Sequence, residues 1–258
     1  MDLNLRGKRA LITGASRGIG AAIAEVLAEE GCDLDLAARS EPELENLAAR
    51  LRAEHGVAAT VHLVDLRRGD ELDRFAAEVP VPDILVNNAG DIPGGPLAAV
   101  NEEMWRHGWE LKVFGYINLT RHMYARMKAA GHGVIINNIG ASGEGADANY
   151  IAGSTGNAAL MTFTRALGGR SLADGIRVVG VNPGPVATER ILTLMKAQAR
   201  ARFGDESRYP ELTAMFPLGR AASPREIADL VAFLASDRSA YTTGAVFTVD
   251  GGVSAAGL

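Results

Sequence analysis

Seven short apolar runs recur along this chain, and they decide most of what it can fold into. They are RALITG at 9–14, DLDLAAR at 33–39, ATVHLVDL at 59–66, DILVNNAG at 83–90, GVIINNIG at 133–140, IRVVGVNPG at 176–184 and AVFTVDGG at 245–252. Near-continuous apolar runs of this length read as strands buried on both faces. Between them the apolar spacing is helical. Ile19, Ile23, Val26 and Leu27 share one face, with Gly31 placed to end the helix. Ser40-Glu41-Pro42-Glu43 reads as a capping box ahead of Leu44, Leu47, Ala48 and Leu51, and Ser223-Pro224-Arg225-Glu226 repeats that signal ahead of Ile227, Leu230, Val231 and Leu234. Strands alternating with helices imply an α/β fold with a parallel sheet and right-handed crossovers. Ligands of such sheets bind at the carboxyl ends of the strands, so the Gly, Asn and Pro residues that end the runs are where function is expected.

A length of 258 residues, 47% of them apolar, suits one such domain. The net charge of −5 and the lack of a basic stripe argue against a nucleic-acid surface. Cys32 is the sole cysteine, so an internal disulfide and a cysteine metal cluster are excluded, and it reads as a small buried residue. The N-terminus is too charged for a signal peptide, and no apolar run reaches the roughly 18 residues of a membrane span, so a cytoplasmic protein is expected. His55, His62, His107, His122 and His132 show no ligand spacing, and no metal site is indicated. The segment 188–217, rich in Met, Leu and Arg, is a lid over a pocket or a plain surface helix pair.

TGASRGIG at Thr13–Gly20 joins the first strand to the first helix. Its glycines permit a tight turn, and the helix start offers free N–H groups and a positive dipole end to a pyrophosphate. The spacing is G-x-x-x-G-x-G. With NNAG at Asn87–Gly90, Tyr150 opening a helix, NPGPVAT at Asn182–Thr188 and VDGG at Val249–Gly252, the chain resembles the short-chain dehydrogenase/reductase family over essentially its whole length. The resemblance implies a single-domain, doubly wound, seven-stranded Rossmann sheet in three αβα layers, assembled as a homodimer or homotetramer. It also implies hydride transfer between a nicotinamide dinucleotide and a small-molecule carbonyl/alcohol pair. The pyrophosphate would lie on Gly14, Ser16, Arg17, Gly18, Ile19 and Gly20. Asp65 and Leu66 would hold the adenine, and Asn87, Asn88, Ala89 and Gly90 the central ribose and nicotinamide. Pro183, Gly184, Val186 and Thr188 would hold the carboxamide. The second strand ends in Ala37-Ala38-Arg39-Ser40, with no carboxylate for a ribose 2′-hydroxyl. Arg39 and Arg17 together suit a 2′-phosphate, so NADP(H) is expected in preference to NAD(H). Asp35, inside the second strand, has no explanation at this level.

The family's catalytic set of Asn, Ser, Tyr and Lys is only partly present. Tyr150 matches the tyrosine, the acid/base of the reaction. Ser154 stands at the lysine position, one helical turn on. Gly140 stands at the serine position, with Ser142, Asn137 and Asn138 as nearby substitutes, and Lys112 stands at the asparagine position. The chain has four lysines in all, which makes one here more telling. A phenol titrates near 10, and a cation within about 4–6 Å is needed to make it useful at neutral pH. Lys112 is the expected cation, with Asn138 or Ser142 assisting in polarising the carbonyl. Two other readings stay open, a nucleotide-binding sensor or scaffold without turnover and a non-redox dehydratase or isomerase. The small residues Gly153, Ser154, Gly156, Ala158 and Ala159 after Tyr150 predict a closely packed helix, and Ile191, Leu192, Leu194 and Met195 predict an apolar portion of the substrate.

Overall fold

Every one of the seven apolar runs becomes a strand in the computed structural model, which describes residues 1–256. The strands are β1 (Arg9–Thr13), β2 (Asp33–Ala38), β3 (Ala59–Leu63), β4 (Ile84–Asn87), β5 (Gly133–Asn138), β6 (Ile176–Pro183) and β7 (Val246–Val249). All pair in parallel in the order β3-β2-β1-β4-β5-β6-β7. The order reverses between β1 and β4, the point at which such sheets open a crevice for a ligand. The helices are α1 (Gly18–Glu29), α2 (Glu41–His55), α3 (Gly69–Glu78), α4 (Glu102–Trp109), α5 (Gly115–Ala130), α6 (Ile151–Ser171), α7 (Glu189–Phe203), α8 (Tyr209–Thr213), α9 (Pro224–Ala235) and α10 (Val253–Ala256).

Period-two alternation sends each strand's side chains to opposite faces. Ile12, Leu36, Val86, Ile136 and Val179 pack beneath α1, α2 and α9, against Ile23, Leu44 and Val231. Leu11, Leu85, Ile135 and Val178 pack on the other face, against Phe75, Leu119 and Met123 of α3 and α5. The inner strands are therefore dry on both faces, which explains why they read as unbroken apolar runs, while the edge strands β3 and β7 are only partly buried.

The start of α9 forms its capping box, Ser223 with Glu226. The box expected at α2 does not form: Ser40 occupies the cap position, but its hydroxyl receives no bond from the helix. The end of α9 is closed from outside. Buried Arg177 on β6 donates to the carbonyls of Leu234 at 2.9 Å and Ser236 at 3.0 Å, and shares these acceptors of a helix end with the Ser239 hydroxyl at 2.8 and 3.1 Å. Asp35 finds its explanation in the register. Its buried carboxylate takes Arg9 Nη1 at 3.1 Å from β1 and His62 Nε2 at 2.7 Å from β3, a charge cluster across three neighbouring strands. His122 and His132 meet Asp73 and Asp83 at 2.9 and 2.8 Å. Three of the histidines are thus partners of sequence-distant carboxylates. Cys32 is buried as expected, and burial pushes its thiol up to about 12. Among the described residues no helix is long and apolar enough to cross a membrane, and no group of acids, His and Cys could hold a metal ion.

Candidate active site

The turn after β1 is a cradle that side chains would fill. A Cβ on Gly20 would lie 2.2 Å from the Gly14 carbonyl oxygen, and one on Gly14 would lie 2.9 Å from Ala89 Cα. Gly14 and Gly18 also adopt left-handed φ of 65° and 60°. A Cβ on Gly18 would press Thr188 Cγ2 at 3.2 Å, so this glycine lets the turn approach the segment after β6. The start of α1 has no capping side chain and no acidic residue in its first turn, which leaves its N–H groups to an anion. These features fit a dinucleotide pyrophosphate. Arg39 is exposed at the end of β2. Arg17 is exposed as well, with Glu189 at 3.8 Å.

Two cofactor-site expectations change in detail. Asp65 is not a free carboxylate, because Arg67 binds it through Nε at 2.9 Å and Nη2 at 2.5 Å. Burial raises its pKa, but the Arg67 bonds and the charge of Arg39 outweigh that and hold it below the usual carboxylate range. Leu66 is buried in the core with Leu111. Asn87 does not face the cavity. It is buried and donates to Thr120 Oγ1 at 3.0 Å and to Asn137 Oδ1 at 2.9 Å, while Asn137 donates onward to Thr164 Oγ1 at 2.9 Å. This amide chain staples β4 to β5 and removes Asn137 from the catalytic candidates. Asn88 is the one that faces the cavity. Its Nδ2 reaches the carbonyls of Thr13 and Gly14 at 3.0 and 3.2 Å, and Thr13 Oγ1 accepts from the N–H groups of Asn88 and Ala89. The two turns are locked together before any ligand arrives.

A cavity of about 930 Å³ opens at the carboxyl ends of the central strands. Ile19, Asn88, Gly90, Pro183, Val186 and Thr188 line one part, and Tyr150, Lys112, Asn138 and Ser142 another. Ile191, Leu194 and Met195 of α7 line its apolar side, while Leu192 turns to the surface. The same helix packs on α8 through Met195, Ala199 and Leu212, so segment 188–217 both borders the cavity and forms a helix pair.

Tyr150 caps α6, and the backbone before it pairs with the loop after β4, with Gly95 N–H to Asn149 O at 2.8 Å. Its ring lies back over Gly153: a Cβ there would sit 2.0 Å from Tyr150 Cε1. The tight packing expected of α6 is seen at Gly153, Ser154 and Gly156, which are buried, but Ala158 and Ala159 are exposed. Ser154, at the family's lysine position, turns away from the cavity and accepts from the Asp147 N–H at 3.1 Å.

Lys112 lies in a π-type turn, Glu110–Phe114, that interrupts the helix running from α4 into α5. Such bulges carry functional side chains often enough to draw notice. Its stem passes over Gly90, where a Cβ would be 3.0 Å from Lys112 Cδ, and its amine donates to the Ile139 carbonyl. Burial, and then the charge of Arg190, pull its pKa down to about 7. This amine, expected as the phenol's cation, lines the same cavity as Tyr150 but is anchored on the end of β5, and no hydrogen bond joins it to Tyr150 among the described residues. It also pairs with neither Glu110 nor Asp147.

The group that does meet the phenol is Arg190, in the first turn of α7. Its Nη2 donates to the Tyr150 hydroxyl at 3.3 Å and to the Ile92 carbonyl at 2.6 Å, and Nη1 lies 3.4 Å from Asp91 Oδ1. Burial pushes the Tyr150 phenol up, Arg190 pulls it down and Asp91 pushes it up, with a net value above that of an ordinary tyrosine. The space beside Gly140, the residue expected at the family's serine position, is filled by another side chain. Gly140 has φ of 141°, and a Cβ there would meet Asn157 Nδ2 at 2.8 Å. That amide donates to Ser142 Oγ at 2.8 Å. Asn138 Nδ2 donates to Asn88 Oδ1 at 2.8 Å, while the Asn138 Oδ1 and Asn157 Oδ1 atoms are buried without a partner. Arg190 and Asn157 are two polar cavity residues beside Tyr150 and Ser142 that sequence reasoning missed. Asn157 had a signal: it lies seven residues after Tyr150, two turns along the same helix face. Arg190 had none beyond its nearness to Thr188.

Residues 14–254 match a family model described as enoyl-(acyl carrier protein) reductase. The chain is 36% identical over 255 residues to the 3-oxoacyl-[acyl-carrier-protein] reductase FabG of Escherichia coli, covering 97% of this chain and 99% of that one. It is 36% identical over 251 residues to the cis-4-hydroxycyclohexanecarboxylate dehydrogenase of Sinomonas cyclohexanicum, covering 95% and 96%. A solved structure of L-sorbose reductase from Gluconobacter frateurii, in complex with NADPH and L-sorbose, superposes with a TM-score of 0.90 at 34% identity, covering 97% and 98%.

Proposed function

The chain belongs to the short-chain dehydrogenase/reductase family, and from that membership we propose that it interconverts a ketone or aldehyde and an alcohol with NADP(H), Tyr150 acting as the acid/base. The observation that carries this reading is the meeting of Tyr150, Asn88 and Thr188 on one cavity beside the glycine cradle. The relatives' names support it, since a 3-oxoacyl group, a hydroxycyclohexanecarboxylate and L-sorbose are all members of carbonyl/alcohol pairs.

The N–H groups at the start of α1 would hold the pyrophosphate, with Arg17 and Arg39 on a 2′-phosphate. Asn88, Gly90, Gly184, Val186 and Thr188 would orient the nicotinamide end. The bound nicotinamide supplies or takes the hydride. In reduction Tyr150 gives its hydroxyl proton to the carbonyl oxygen, and in oxidation the phenolate takes that proton back. Ser142 accepts from Asn157, which leaves its own proton free to polarise the carbonyl. Asn138 donates to Asn88 and so holds that residue's side chain in place at the nicotinamide end of the cavity. Lys112, its pKa pulled down by burial, lines the cavity with its amine held on the Ile139 carbonyl at the end of β5. The apolar side chains of α7 would cover the substrate's non-reacting portion, with segment 188–217 as the lid.

The test is turnover on a panel of ketones and aldehydes with NADPH and NADH in parallel. The proposal expects loss of reduced-nicotinamide absorbance with NADPH at lower cofactor concentrations than with NADH. No consumption of either on any carbonyl would refute it. The buried Lys112 amine favours one second reading, a dehydratase or isomerase, which would form product without any change in that absorbance.

A further inference from the structure

We propose that Arg190 stands in for the missing lysine of the family's active site, as the cation that meets the Tyr150 hydroxyl and favours its ionised form. The proposal rests on the acid/base role given to Tyr150 above.

Several observations converge on it. The position one turn after Tyr150 holds Ser154, a neutral residue whose hydroxyl is committed to the Asp147 backbone. The amine of Lys112 is committed to the Ile139 carbonyl. Arg190 Nη2 is bonded to the phenol itself at 3.3 Å, and the Ile92 carbonyl at 2.6 Å fixes the guanidinium there. Charges face this phenol from four directions. Asp91, after β4, shares Arg190, while Lys112 of the π-type turn, Asp147 of the loop before α6 and Asp250 after β7 line the same cavity. Of these, Arg190 alone is a cation in hydrogen-bond contact with the phenol among the described residues. A guanidinium stays charged across the whole working pH range, whereas a buried amine does not. The source of the charge also changes the logic of the site. A lysine on the tyrosine's own helix is present whether or not substrate is bound. Arg190 comes from the first turn of α7, the helix whose Ile191, Leu194 and Met195 border the apolar side of the cavity. The phenol is therefore tuned by the same element that contacts substrate, and its acidity depends on how α7 is seated.

The experiment titrates the phenol directly, by ultraviolet difference spectra from which the Tyr150→Phe spectrum is subtracted, in wild type, Arg190→Met and Arg190→Lys. Removing a contacting cation should raise the Tyr150 midpoint by about 1–2 pH units in Arg190→Met, with Arg190→Lys close to wild type. The basic limb of the pH–rate profile for alcohol oxidation should move the same way. Adding Ser154→Lys to Arg190→Met should bring the midpoint back down. An unchanged midpoint in Arg190→Met would overturn the assignment, whatever the turnover. A raised midpoint in a protein with no carbonyl turnover would uphold Arg190 as the phenol's cation and overturn the reductase reading instead.

Discussion

Replacing Lys112 by methionine should flatten the rise of this protein's stability with pH. The structure holds the amine under the end of β5, where burial and Arg190 bring its pKa from the usual 10.5 to about 7. Between those two values the unfolded chain binds a proton that the folded chain does not. Stability therefore rises with pH through that window, and the buried ammonium opposes folding in full below about pH 7. From about pH 6 to about pH 9 the proton difference integrates to about two pH units, or roughly 2–3 kcal/mol at about 1.4 kcal/mol each. Methionine matches the stem's length without the charge, so the variant lacks this term, while every other titrating group is common to both proteins and cancels. The assay is denaturant unfolding of both proteins at several pH values in that range. Wild type should gain about 2–3 kcal/mol on the variant as pH rises, the variant being the more stable at the acid end. Parallel stability–pH curves would refute the argument, because they would mean that the amine keeps its ordinary proton affinity and is hydrated.

Three further outcomes follow from the packing. Gly153→Ala would ordinarily stabilise a helix interior by about 1 kcal/mol, but here its Cβ overlaps the Tyr150 ring at 2.0 Å. Thermal melts should show a loss of about 1 kcal/mol instead, and turnover should fall about tenfold or more as the ring is displaced. Gly140→Ser should destabilise by about 1–3 kcal/mol and leave turnover no higher, because φ there is 141° and Asn157 occupies the space. Arg177→Met should cost about 1–3 kcal/mol in denaturant unfolding by removing the charged donor from the carbonyls that end α9, which keep only their weaker bonds from Ser239.

What the sequence revealed and what it hid divide along a physical line. Features set by neighbours in the chain were legible. The apolar runs gave all seven strands, the glycine turn gave the cradle, and Ser223 with Glu226 gave a capping box. Even so, the equally plausible box at Ser40 does not form, since a local signal does not fix the rotamer that would close it. Features set by how elements dock were not legible. Asp35 made no sense until the sheet register put Arg9 and His62 beside it. Lys112 was rightly placed at the cavity, but the direction of its amine depends on a free carbonyl at Ile139, on a strand 27 residues later. Arg190 reaches Tyr150 across 40 residues of sequence, and only the seating of α7 shows it.

The central claim is that the Tyr150 hydroxyl moves the proton in a nicotinamide-dependent carbonyl reduction. It is tested most directly by comparing wild type with Tyr150→Phe for NADPH oxidation on a reactive ketone, with NADPH affinity measured alongside by fluorescence. Turnover in the variant should fall by about a hundredfold or more while NADPH affinity stays the same. Equal turnover in the two proteins would contradict the account.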